Sequence, residues 1–181
     1  TRKMIFAVFL YIVFFMGCEP IVTHDPQGVL LFEISSDKKI YRTDEKIWLT
    51  VRLTNQSDNP ILVYAKFSFV DYKVPSSLSL SFLQILDPAG KIVNRNPDIY
   101  PELNWVPNKK NFVTLQPNQN TSRSFYVSSD TDELTEIGTY KVWAVYTNSF
   151  DPSDVAGNSE DGRIAWKGEL HSNTISFQIQ P

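Results

Sequence analysis

The sequence predicts an all-β sandwich of two layers, standing behind a short N-terminal leader. Three observations carry this. From Val29 onward apolar and polar side chains alternate with a period of two, as in strands that bury one face. The alternating runs are short and are separated by clusters of Asn, Asp, Ser, Pro and Gly, the residues that punctuate a chain at turns. No window of a dozen residues carries a convincing 3.6-residue period.

The leader comes first. Arg2 and Lys3 precede an apolar run from Met4 to Met16 that ends at Gly17 and Cys18, the pattern of a secretory signal peptide. As a helix the run reaches about 20 Å at 1.5 Å per residue. That is short of the roughly 30 Å hydrocarbon core, so a spanning helix is the weaker reading. Phe15-Met16-Gly17-Cys18 resembles the lipobox of bacterial lipoproteins, in which a small residue precedes a cysteine that is acylated after cleavage. Gly17 and Cys18 fit it; Phe15 and Met16 depart from its usual Leu and small residue. The resemblance implies a palmitate-type anchor on Cys18, with a plain cleaved signal and a retained anchor as alternatives. Cleavage before Cys18 leaves 164 residues and a formal charge of −5, because Arg2 and Lys3 leave with the leader. The expected organisation is a signal peptide over 1–17, a tether over 18–28 with two prolines and no periodicity, and a sandwich over 29–181.

Within the sandwich, Ile47, Leu49, Val51 and Leu53 alternate with Trp48, Thr50 and Arg52, and Asn55 to Pro60 is a turn cluster. Ile61, Val63, Ala65, Phe67 and Phe69 form the next inward row. Leu83 to Leu86 and Lys91 to Val93 flank Asp87-Pro88-Ala89-Gly90, a hairpin signal. Phe112 to Leu115 and Ser122 to Val127 flank a second turn, and Thr139–Thr147 and Asn173–Ile179 complete the set. The long connections, 94–111 and 149–171, exceed ordinary loop lengths. Gly138 two residues before Tyr140, at the start of a strong strand, resembles the tyrosine corner of Greek-key sandwiches. There the ring packs inside and the hydroxyl bonds upstream backbone; an ordinary buried Tyr is the alternative.

Asp37-Lys38-Lys39-Ile40-Tyr41 followed by Glu45 resembles the opening of macroglobulin-like and other bacterial immunoglobulin-like domains, with Thr43-Asp44 in place of the usual Pro-Gly. Asn55, the Leu115-Gln116-Pro117 step and the stretch from Trp166 to Asn173 fit the same pattern. The resemblance covers roughly 29–181. It implies an immunoglobulin-like Greek-key sandwich on an exported bacterial lipoprotein. Related sandwiches include adhesive modules, spacers and small proteinase inhibitors of the BsuPI type, and fold alone selects none of these roles.

Composition narrows the function classes. The 181 residues are 42% hydrophobic, 13% aromatic and 20% charged, which excludes a disordered chain. A net charge of −3 with no basic cluster argues against a nucleic-acid partner. One cysteine excludes a disulfide scaffold within the chain. His24 and His171 are the only imidazoles; one lies in the tether, and no Gly-x-Ser-x-Gly elbow exists, so no catalytic residue, metal ligand or cofactor is expected. Asp151, Asp154, Glu160 and Asp161 share a loop whose spacing misses the alternating calcium pattern, and a solvated acidic loop is expected. Asp130 to Glu133 are expected to cap a turn. Asn55 and Asn120 head glycosylation sequons of little meaning in a bacterial lipoprotein.

What remains is aromatic surface. Trp48 alternates with an inward row and is expected to point outward. Trp143 and Val145 oppose Tyr140, Val142 and Ala144. If the strand holding Tyr64 pairs with the strand holding Tyr140, Leu62 and Tyr64 join Trp143 and Val145 on one outer apolar face, a common mark of an interaction surface. The alternative is a covering loop, with 94–111 the candidate cover. Trp105 and Trp166 sit in the two long loops, where they either bind a partner or plug the end of the sandwich. The candidate binding residues are therefore Trp105, Trp166, Trp143 and Tyr64, with Cys18 as the lipidation site. The expected function is a non-enzymatic binding module anchored to the membrane of the bacterial cell envelope, periplasmic or surface-exposed, with an envelope protein or glycan as partner. A BsuPI-type peptidase inhibitor and a carboxylate-based envelope enzyme are the alternatives.

Overall fold

A computed structural model describes residues 28–67, 82–93, 108–127, 134–155 and 160–181. Ten strands occur among them: β1 Leu30–Ser36, β2 Ile40–Arg42, β3 Ile47–Asn55, β4 Ile61–Tyr64, β5 Phe82–Leu86, β6 Phe112–Leu115, β7 Asn120–Val127, β8 Gly138–Asn148, β9 Gly168–His171 and β10 Ile175–Gln180. The only helical pieces among the described residues are two 3₁₀ turns, Lys109–Asn111 and Pro152–Asp154.

One sheet has the order β1-β3-β7, all antiparallel; a second has the order β2-β10-β8-β5, with β9 also paired to β8; β4 and β6 form a third, two-stranded antiparallel sheet. The chain changes sheet between β1 and β2, between β2 and β3, and between β7 and β8. This is the all-β sandwich that the alternation predicts, in the immunoglobulin-like Greek-key form that the family resemblance implies. The inner rows meet in one core: Phe32 and Ile34 of β1, Leu49, Val51 and Leu53 of β3, Ile85 of β5, Tyr140, Val142, Ala144 and Tyr146 of β8, and Phe177 and Ile179 of β10. Burying each large apolar side chain contributes about 1.5–3 kcal/mol, so the alternation specifies register as well as layer.

The tyrosine corner is present. The Tyr140 hydroxyl donates to the Glu136 carbonyl at 2.9 Å and accepts from the Glu136 N–H at 3.0 Å, while the ring stacks on Phe177. Gly138 makes room for it: its φ is +144°, and a Cβ there would stand 2.7 Å from Pro88 Cγ. The 87–90 hairpin thus leans on the start of β8. The Asp-Lys-x-x-Tyr opening also acquires a physical reason. The Tyr41 hydroxyl donates to Asp37 at 2.5 Å and accepts from the Lys38 N–H, and Lys38 pairs with Glu45. Thr43-Asp44 still turns the chain, through a Glu45 N–H to Arg42 carbonyl bond, and needs no positive φ.

Two expectations are corrected. The strand holding Tyr64 does not pair with β8. It pairs with β6, and β5 takes the place beside β8. Nor does it alternate: Leu62, Val63 and Tyr64 are all buried, because β4 is covered on both sides. Val63 enters the main core, whereas Leu62 and Tyr64 form a second cluster with Phe112, Val155 and Ala165, flanked by Phe150. The cover therefore includes the 149–171 connection. Of the segment expected to supply it, residues 94–107, with Tyr100 and Trp105, lie outside the described residues, as does Phe69.

The last strand is interrupted. β5 flanks β8 on one side; β10 and then β9 flank it on the other. Between β9 and β10, the Ser172 hydroxyl accepts the Ala144 N–H at 2.8 Å. Asn173 crosses to the other sheet, accepting from the Ile34 N–H and donating to the Ile34 carbonyl. One amide side chain thus occupies backbone groups on the edge strand β1, which an open edge would otherwise offer to another chain.

Candidate functional site

The register assigns an end to every feature. β1 begins at Leu30 opposite Asn55 and finishes at Ser36 opposite Leu49, so the described chain enters the sandwich beside Asn55. Trp48 lies about 20 Å away along the strands at ~3.4 Å per residue. Alternation puts Trp48 on the outer face of β3, and pairing puts Tyr126 of β7 directly opposite. The two rings stand 5.4 Å apart at 63°, each 44% exposed. Lys46 Nζ sits 4.4 Å from the Tyr126 ring centre, a cation–π contact that holds that ring in place.

The same face continues toward the tether as polar rows. Ser35, Thr50 and Ser124 form the next row, with 2.8 Å between the Thr50 and Ser124 hydroxyls. Glu33, Arg52 and Ser122 form the one after it. The face therefore presents two aromatic rings with Lys46 beside them, a band of hydroxyls, and Arg52 opposite Glu33.

The candidates named from sequence are distributed differently. Tyr64 is 1% exposed; Phe112 packs edge-on against it and the Asn111 amide donates to its hydroxyl, so it is a packing residue. Trp166 is half-buried and stacks on Tyr146 at 5.8 Å, and its backbone joins Leu62 and Asn148. Gly168 is required beside it, since a Cβ there would meet the Trp166 ring at 2.9 Å. That is the plug of the two arrangements expected for Trp166. Trp143 is half-buried on the outer face of the other sheet, opposite Gln84, while Val145 is buried. Trp105, Cys18, His24 and Asp130 to Glu133 lie outside the described residues. The Trp48–Tyr126 pair was half visible: alternation points Trp48 outward, but only the register brings Tyr126 to it.

The acidic loop is not uniformly solvated. Asp151 accepts from the Ala165 N–H at 2.7 Å and pairs with Lys167 at 2.5 Å; Asp161 pairs with Arg163 at 2.6 Å. Desolvation pushes the Asp151 carboxyl up, but the Lys167 ammonium and the Ala165 N–H outweigh it and hold the carboxyl below its ordinary value. These pairs latch the loop over β4. Among the described residues no group of three His, Cys, Asp or Glu converges to hold a metal. His171 contacts Glu169 at 2.8 Å.

A pocket of about 250 Å³ opens at the tyrosine corner between Asp87, Lys91, Ile92, Glu136 and Tyr140. It is smaller than the roughly 300–1,000 Å³ typical of small-molecule sites. Its central phenol already has both hydrogen bonds in use. The open aromatic face is the stronger candidate.

No family model matches the chain, and no curated protein does. Among solved structures, the CARDB domain of the PF1109 protein from Pyrococcus furiosus, in complex with di-metal ions, aligns with a TM-score of 0.38 at 12% identity. The alignment covers 83% of this chain and 91% of that one. The fold assignment rests on the strand order and the shared core described above.

Proposed function

We propose that the protein is a non-enzymatic binding module of the bacterial cell envelope, anchored to a membrane through an acylated Cys18. One observation carries the binding half of this reading: a Trp–Tyr pair is left open on a sheet face at the end of the sandwich away from the tether. No element among the described residues covers the two rings, and large rings kept in water are costly unless something else covers them. The leader, with its basic start, short apolar run and terminal cysteine, supports the anchoring half. Two acyl chains hold a protein stably where one is marginal. The test is metabolic labelling with a palmitate analogue followed by fractionation. The intact protein is expected to carry label and sediment with membranes, and Cys18→Ser to lose both. A wild-type protein that is unlabelled and free of membranes contradicts the anchor.

A second reading, peptidase inhibition through a rigid loop, is favoured by the 87–90 hairpin. Pro88, Ala89 and Gly90 are exposed, while backbone bonds between Asp87 and Lys91 and the contact of Pro88 with Gly138 brace them. A panel of envelope peptidases decides between the two. The binding-module reading expects no inhibition, and inhibition abolished by Pro88→Gly would replace it.

A further inference from the structure

We infer that the outer face of the β1-β3-β7 sheet binds a neutral oligosaccharide, with one pyranose ring seated in the corner between Trp48 and Tyr126. This deepens the binding-module reading and rests on it. A sugar ring offers an apolar C–H face and a rim of hydroxyls, and the sheet offers the complement of each. Trp48 and Tyr126 meet at 63°, so they form two walls of an open corner rather than a flat shelf. Lys46 fixes the Tyr126 wall in advance, which lowers the ordering cost of binding. The next same-face row lies about 7 Å along the strands. It consists of Thr50 and Ser124 with Ser35 beside them, hydroxyls that both donate and accept. Beyond it stand Glu33, Arg52 and Ser122.

Other ligand classes fit less well. A nucleic acid or anionic polymer needs several cations in a row, and here, among the described residues, Lys46 stands alone at the Tyr126 ring while Arg52 faces Glu33. A protein partner needs an apolar centre depleted of charge. On this face the large exposed apolar groups are two rings beside Lys46, and the rows beyond them are polar. A membrane surface lies at the tether's end of the sandwich, about 20 Å from Trp48 at ~3.4 Å per residue. A neutral polyhydroxylated ligand matches both the rings and the lack of a dominant charge.

The experiment titrates the full-length protein in detergent with hexasaccharides of β-1,4-linked glucose, mannose and N-acetylglucosamine, read by calorimetry and tryptophan fluorescence. At least one is expected to bind. Trp48→Ala should weaken it tenfold or more, Thr50→Val severalfold, and Ser176→Ala on the opposite sheet not at all. Near-UV circular dichroism verifies that each variant is folded, and Trp48→Phe should retain part of the affinity. No binding across the panel, or binding indifferent to Trp48→Ala, overturns the inference. A parallel pull-down from solubilised envelopes separates this failure from that of the broader reading. If the wild type captures a protein that Trp48→Ala does not, while no sugar binds, the face serves a protein and the module survives. If neither is captured, both fall.

Discussion

Asn55 ends β3 with none of its surface exposed, and its amide is fully committed. It donates to the carbonyls of Asn59 and Leu115 and accepts from the N–H and hydroxyl of Ser57. One side chain therefore ties β3, the following turn and β6 together, and it leaves no amide for the sequon it heads. Asn55→Ala is expected to cost about 2–3 kcal/mol, because the partners it strands are buried. Chemical denaturation measures this, and a loss within error of zero contradicts the assignment. Tyr41 gives a pH signature. Burial, and then its hydrogen bond to Asp37, push its phenol from 10.0 up to about 12. The neutral form is the one that folds, so this contribution is complete below pH 10 and is lost as pH rises toward 12. Tyr41→Phe should flatten the decline of the urea midpoint over that window, and an unchanged slope argues against it. The role of Tyr140 was legible from Gly138-Thr139-Tyr140 because a corner is a local device. The partnership of Trp48 with Tyr126 was not, because it depends on a pairing between strands far apart in sequence.

At the scale of elements, alternation succeeds where a strand has one dry face. β3 reads cleanly for this reason; β8 does so as far as Ala144, beyond which Val145, expected to face outward, is buried as well. β4 misled because Phe150, Val155 and Ala165 dry its second face, so Leu62 and Tyr64 became core rather than surface. β9 was missed, because residues 168–171 read as part of the 149–171 connection; Ser172, which imitates a backbone acceptor, and Asn173, which leaves for the other sheet, part it from β10. Where elements touch, small residues matter. Gly138 holds a φ of +144° and lies against Pro88, so Gly138→Ala combines backbone strain with a clash. The expected cost is about 1–3 kcal/mol. It should be visible as a lowered melting temperature, together with faster amide exchange in the 87–93 hairpin. A protected hairpin with an unchanged melting point contradicts that contact.

At the scale of the molecule, the layout is polar. The first strand starts at one end beside Asn55, and the Trp48–Tyr126 corner lies toward the other, on the face of the three-stranded sheet. The apolar face foreseen from sequence does not form: instead of lying beside Trp143, Leu62 and Tyr64 pack with Phe112 and with Val155 and Ala165 of a loop whose Asp151 and Lys167 pair with each other. If the proposed anchor at Cys18 holds the chain, its open rings face away from the membrane. Site-specific photocrosslinking in living cells tests this most directly, with a benzophenone amino acid at position 126 and, separately, at position 176 on the opposite sheet. The account predicts adducts with an envelope component from position 126 that Trp48→Ala abolishes, and none from position 176. Adducts from position 176 alone, or none from either, would contradict it.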